Sequence, residues 1–313
     1  MEPSIAVLGG RSSGRIAKRL FLATRPMFFT ASILPVLLGT IVGAKAVATV
    51  DWAAFALALA SIVCVHAAVN VFNDVFDCKN GADAANTSRV HPFTGGSRFI
   101  QNGVMTPAEM AVLAYVLLLA GVAFGVLLFA VKGAGVLAFG AAGVALGLLY
   151  SIPPVALNGR GLGEAAVGVG FGVLPVMGGA WLQCGALADR AFLLSLPLGC
   201  WIAAVLIANE IPDAAADVAA GKRTLAVRLG PRGTRILYGA VQGAAFLVLL
   251  AGVLQGRLPA WGLAIPVLLL VLAARAAAGL GKDRASLAGA IKLTLAIHAG
   301  GGAWLCALAF FAA

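Results

Sequence analysis

The 313-residue chain is 61% hydrophobic and only 11% charged, with a mean hydropathy of +1.01. That balance excludes an ordinary soluble domain, whose helices would here be apolar on every side. The formal net charge of +10 does not mark a nucleic-acid partner, because the Lys and Arg residues alternate with apolar runs and form no basic domain of their own.

Residues 1–24 form a basic segment carrying Arg11, Arg15, Lys18 and Arg19. It has the charge of a signal-peptide n-region, but the apolar run after it is long and leads into further runs, so an uncleaved first helix is expected. Arg25 precedes Pro26, a residue suited to a helix start. The apolar pattern then predicts nine spans, roughly 27–47, 52–73, 108–130, 133–151, 163–184, 191–211, 234–255, 260–280 and 288–311, against the roughly 20 residues needed to cross a bilayer. The fold class is all-α and polytopic, a single transmembrane domain over 1–313. Gly121/Gly125, Gly143/Gly147 and Gly168/Gly172 have the G-x-x-x-G spacing of close helix packing. The five cysteines, Cys64, Cys78, Cys184, Cys200 and Cys306, lack C-x-x-C spacing, so neither a disulfide framework nor a zinc site is expected.

Connections alternate between two faces. All 22 Lys and Arg residues except Lys45, Lys132, Arg190 and Arg257 fall on the face that holds the N-terminus. This places the N-terminus in the cytoplasm and the C-terminus outside. The two long polar connections, about 74–107 and 212–233, are then cytoplasmic as well, and function is expected there.

Those connections adjoin two acidic clusters, which together hold half of the chain's 12 acids. In the first, Asn70, Asn73, Asp74 and Asp77 are spaced i, i+3, i+4, i+7, one face of a helix, and Gly81 and Asp83 follow. In the second, Asn209, Asp213 and Asp217 are spaced i, i+4, i+8, followed by Gly221-Lys222-Arg223-Thr224. Carboxylates stacked so closely repel unless a cation lies between them. Oxygen donors suit Mg²⁺, which takes one or two carboxylates and completes its shell with water and substrate phosphate. Two such helices facing each other would hold Mg²⁺ ions around a diphosphate, with Arg98, Lys222 and Arg223 neutralising the remaining charge. Two other readings are solvated helix ends and a cation pathway. Transporter sites favour the midplane and broken helices, whereas these acids lie near one face among basic residues; Pro212 does interrupt the second cluster.

The residues resemble the UbiA superfamily of intramembrane prenyltransferases along nearly the whole chain. The first cluster is similar to its N-x-x-x-D-x-x-x-D signature, in a longer form with Gly81 and Asp83. That form resembles the 1,4-dihydroxy-2-naphthoate polyprenyltransferases of menaquinone synthesis. Asp213-x-x-x-Asp217-x-x-x-Gly221-Lys222-Arg223-Thr224, Thr94-Gly95-Gly96-Ser97-Arg98, Tyr150-Ser151-Ile152-Pro153-Pro154 and Arg160-Gly161-Leu162-Gly163-Glu164 resemble the same group. Glu210-Ile211-Pro212 and Val90-His91-Pro92-Phe93 depart from it.

The resemblance implies helices around a central cavity and transfer of a polyprenyl group from its diphosphate to an aromatic acceptor at the inner membrane. The acceptor is dihydroxynaphthoate, with loss of CO₂; alternatives are 4-hydroxybenzoate, homogentisate or a glycerol-phosphate lipid. From another class the alternative is a cation-coupled transporter. The resemblance also implies Asp74, Asp77, Asp213 and Asp217 as the Mg²⁺–diphosphate core, with Asp83 as a further metal candidate. Asn70, Asn73, Asn209, Arg98, Lys222, Arg223, Tyr150 and Arg25 are diphosphate candidates. His66 and His298 read as packed residues, His91 as a loop residue near the site, and Glu164 as a helix cap or acceptor contact.

Overall fold

In a computed structural model, which describes residues 2–312, the chain is built from helices, with no strand among the described residues. The short α1 (Ile5–Leu8) and α2 (Ser13–Ala23) lead through a 3₁₀ turn at Pro26–Phe28 into α3 (Thr30–Val47). Then come α4 (Trp52–Lys79), the short α5 (Ala82–Ala85), α6 (Pro107–Lys132) and α7 (Gly135–Ser151). A π-helical turn at Val169–Val173 joins α8 (Gly163–Gly168) to α9 (Leu174–Cys184). The chain ends with α10 (Asp189–Ala219), α11 (Leu225–Leu254), α12 (Ala264–Gly279) and α13 (Arg284–Phe311). With α8 and α9 counted as one stretch, eight described helices are long and apolar enough to cross a membrane, and the 17-residue α7 is apolar but shorter. These correspond to the nine expected spans.

Local chemistry sets several helix starts. The Asp51 carboxylate accepts from Ala54 N at 2.8 Å and caps α4. Thr106 and Glu109 form a reciprocal capping box at α6, with Pro107 in the first turn. Other boundaries differ from expectation. Helix α4 runs to Lys79 rather than ending near 73, and α10 passes through Pro212 to Ala219 rather than ending near 211. Hydropathy marks where a helix leaves lipid, not where its backbone hydrogen bonding stops. The expected connection over 212–233 shrinks accordingly, because α11 begins at Leu225. Gly230, at φ 66° and ψ 178°, breaks α11 just before its apolar part.

Glycines let the helices approach closely. A Cβ on Gly172 would collide with the Gly199 backbone, and one on Gly39 with the Val176 carbonyl. Gly121 lies against Ser61 and Val65. Gly143 has no such neighbour.

The two ends of the bundle differ in charge. At one end, Lys132 pairs with Asp51 at 2.7 Å, and Lys45 donates to the Phe310 and Ala312 carbonyls at 2.8 Å. Arg190 also reaches Ala312 O, and Arg257 pairs with Asp189. The four basic residues set apart by the sequence alternation therefore gather at this end. The opposite end holds the acidic clusters and the N-terminal segment. There Glu2 pairs with Arg89 at 2.9 Å, and Leu8 is buried in a cluster with Phe99 and Val104. Phe21 and Leu22 are exposed on the basic helix α2, the pattern of a helix lying along a membrane interface.

Candidate active site

A cavity of about 370 Å³ opens among α3, α4, α7, α9 and α10, within the range of small-ligand sites. Its deep part is apolar, walled by side chains such as Val65, Phe139, Phe171 and Trp181. Its mouth is polar. Asn70, Asn73 and Asp77 enter from α4, Asn209, Asp213 and Asp217 from α10, and Arg25, Asp83, Tyr150 and Lys222 from the flanking segments. The helical spacing of both clusters thus delivers one face of each helix to a single cavity.

Lys222 joins the two clusters. Its Nζ lies 2.6 Å from Asp77 Oδ1 and 3.5 Å from Asp217 Oδ1. Burial opposes the charge on Lys222, but Asp77 and Asp217 outweigh it and hold its pKa above the usual lysine value. Asp77 also accepts from Asn73 and Asn80, each at 3.1 Å. Asn70 donates to Thr24 O at 3.0 Å, which ties α4 to the segment before Arg25.

The connection after α4 folds back as a cap. Asp213 accepts from Asn86 Nδ2 at 2.6 Å and from Gly95 N at 3.2 Å. Asp74 is 2% exposed, accepts from Ser97 N at 3.2 Å and has Arg25 Nη1 at 3.9 Å. Gly96 has φ +72°, and a Cβ there would lie 2.8 Å from Asp83 Oδ2 and 3.0 Å from Asp74 Oδ1. Backbone donors therefore reach the carboxylates only because this position lacks a side chain. Burial first, then the Asp74 and Asp77 carboxylates, push the pKa of Asp83 up to about 8.

Three sequence candidates do not line the cavity. Asp74 sits behind Gly96 and Ser97. Arg98 Nη1 donates to the Asp83 carbonyl at 2.6 Å. Arg223 faces a separate surface depression. His91 is also absent from the lining, whereas His66 lines it, hydrogen-bonded to Ser32 Oγ at 2.8 Å and packed against Phe171. Sequence reasoning missed Asn86, because a lone Asn in a polar connection carries no spacing signal. Glu210 lines the cavity; Glu164 packs against it, and each is 7% exposed.

The donors at the mouth are carboxylate and amide oxygens, the kind hard cations prefer. Among the described residues no three His, Cys, Asp or Glu side chains converge into a ready-made metal cage. The set therefore fits an ion that draws the rest of its shell from a phosphate ligand and water.

The fold is shared with known membrane proteins. A UbiA homolog from Archaeoglobus fulgidus, solved with GPP and Mg²⁺, superposes with a TM-score of 0.63 at 15% identity, covering 92% of this chain and 99% of that one. In sequence, the chain is 34% identical to a 1,4-dihydroxy-2-naphthoate octaprenyltransferase of Mycobacterium tuberculosis, over 74% of each protein. The Bacillus subtilis enzyme of the same name is 29% identical over 77% of this chain and 76% of its own. The model of the UbiA prenyltransferase family matches residues 32–299. With both Asp-bearing helix faces inside that match, the chain belongs to the UbiA prenyltransferase family.

Proposed function

We propose that this membrane prenyltransferase moves a polyprenyl group from polyprenyl diphosphate to 1,4-dihydroxy-2-naphthoate, with loss of CO₂, as a step of menaquinone synthesis. The observation that carries the reading is the Lys222 bridge between Asp77 and Asp217 at the mouth of an apolar cavity. A diphosphate head placed there meets a cation already held between the two clusters, and its tail has apolar walls to lie against.

In this reading Asp77, Asp213 and Asp217 would hold Mg²⁺ at the diphosphate, with Asp83 beside them and Asp74 setting the loop that closes over the site. Mg²⁺, when bound, supplies the positive charge that stabilises the departing diphosphate. Lys222 and Arg25 add positive charge at the same place. Asn70, Asn73 and Asn209 orient the head group, and Tyr150 flanks the developing allylic charge. The Thr94–Arg98 turn excludes water that would otherwise capture that cation. The ring carbon that bears the carboxylate attacks C1 of the donor as the C1–O bond breaks. The carboxylate then leaves as CO₂ and returns its electron pair to the ring. The end of the bundle that holds the acidic clusters and most of the Lys and Arg residues faces the cytoplasm, by the charge bias of the connections.

Purified protein given farnesyl diphosphate, Mg²⁺ and a panel of aromatic acceptors tests this. The expected result is prenylated naphthoquinol with matching CO₂ release. Absence of diphosphate release with every acceptor, alongside cation flux in liposomes, would overturn it.

A further inference from the structure

A second compartment adjoins the diphosphate end of the cavity. It is a depression open to the cytoplasmic end, formed by the last turn of α4, the 151–162 connection and the 220–228 segment. Lys79, Arg160, Arg223 and Arg228 line it, and Asp77 is the only acid in its wall. Basic residues at a membrane face need no ligand as such. These four, however, converge on one concavity, and that concavity shares Asp77, Asn158 and Lys222 with the cavity. The Asp77–Lys222 pair, 2.6 Å apart, is therefore a partition between the two compartments.

The partition is braced from the basic side. Arg223 N donates to Gly159 O at 2.7 Å. Arg228 donates to Arg223 O at 2.9 Å and to Arg160 O at 2.8 Å, and Arg160 donates to Pro154 O at 2.6 Å. Arg160 and Arg228 thus hold the walls in place. Lys79 lies over the Phe76 ring, and Arg223 is exposed within the depression.

We propose that this basic depression is a second anion site, which receives inorganic diphosphate leaving the reaction cavity. The inference rests on the prenyl-transfer reading, in which each turnover frees a diphosphate polyanion beside Lys222. The Thr94–Arg98 turn covers the cavity on the side of Asp74 and Asp213. On the side of Asp77, the Lys222 ion pair and Asn158 stand between the cavity and four further cations. Lys222 is a hinged charge at that boundary: turned toward Asp77 it closes the partition, and following the departing anion it opens it.

The test uses the full chain in nanodiscs of neutral phosphatidylcholine, saturated with Mg²⁺ and farnesyl thiodiphosphate so that the cavity is filled. Inorganic diphosphate is then titrated calorimetrically. One additional site per chain is expected, weakened at least tenfold in the Lys79→Gln/Arg223→Gln double variant, while the affinity for farnesyl thiodiphosphate is retained. No diphosphate binding to the filled protein, or binding unchanged in the double variant, would overturn the inference. So would loss of the diphosphate site when phosphatidylglycerol is included in the nanodiscs, since the depression would then be a lipid-headgroup site. Failure of farnesyl thiodiphosphate to bind at all would instead overturn the prenyl-transfer reading. Equal melting temperatures for wild type and variant show that the effect is local.

Discussion

Gly96 shows how much of the site depends on single atoms. Its backbone turns at φ +72° between Asp74 and Asp83, with no room for a Cβ beside either carboxylate. Gly96→Ala is therefore expected to displace the cap and lower kcat by about tenfold or more, the scale of a lost oriented donor, with a modest fall in melting temperature from an alanine held at positive φ. Wild-type turnover would show that the cap is not needed. Asp83 supports a second prediction. With a pKa of about 8 it holds a proton at pH 7, and a cation bound beside it favours the carboxylate. Mg²⁺ and farnesyl thiodiphosphate should therefore release protons on binding at pH 7, measurable by calorimetry in buffers of different ionisation heat. Asp83→Asn should release fewer, and an unchanged proton count would remove Asp83 from the metal's surroundings. The acids themselves were legible because i, i+4 spacing is a local property of a helix. Their partners were not. Asn86 and Gly95 meet Asp213 across more than a hundred residues, and nothing local to Lys222 and Arg223 tells that the first lines the cavity and the second does not.

Among the elements, the same division holds between apolar periodicity and helix ends. The nine apolar runs were readable because each must bury its backbone hydrogen bonds within one helix to cross lipid. The ends of α4 and α10 were not, because the final turns carrying Asp77 and Asp217 are polar yet still helical. That extension matters to the site: it keeps each set of Asn and Asp side chains on a rigid face rather than in a loop. Where a cap is written in the sequence, its effect is separable from catalysis. Thr106 Oγ1 accepts from Glu109 N at 3.2 Å, and Thr106 N donates to the Glu109 carboxylate at 2.7 Å. Thr106→Ala is expected to cost about 1 kcal/mol of stability, read as a lower melting temperature at unchanged turnover. A loss of turnover with no change in melting would mean that the start of α6 positions the cap directly.

Across the whole molecule, the cavity joins a polar mouth at one end to an apolar channel that runs toward the other. Gly140 and Gly143 of α7 line this channel, and a Cβ built on either meets no heavy atom within 4 Å. Farther along, Phe139 and Trp181 stand with ring centroids 6.1 Å apart near the opposite end of the bundle. Space in the channel is therefore set by absent side chains midway and by large ones at the base. Gly143 lies seven residues before Tyr150, about 10 Å deeper along the helix at 1.5 Å per residue. A ring placed there would block the lower channel while leaving the polar mouth intact. Gly143→Phe is expected to retain turnover of geranyl diphosphate and to lose about tenfold or more in kcat/KM for the longest donors, the scale by which apolar pockets discriminate size. The check is a series of prenyl diphosphates of increasing length, each compared with wild type at fixed acceptor and Mg²⁺. A uniform fall across the series would point to misfolding of α7. An unchanged profile would mean that the tail leaves the cavity above Gly143 and lies in the lipid, so that the bilayer and not the protein sets the length limit.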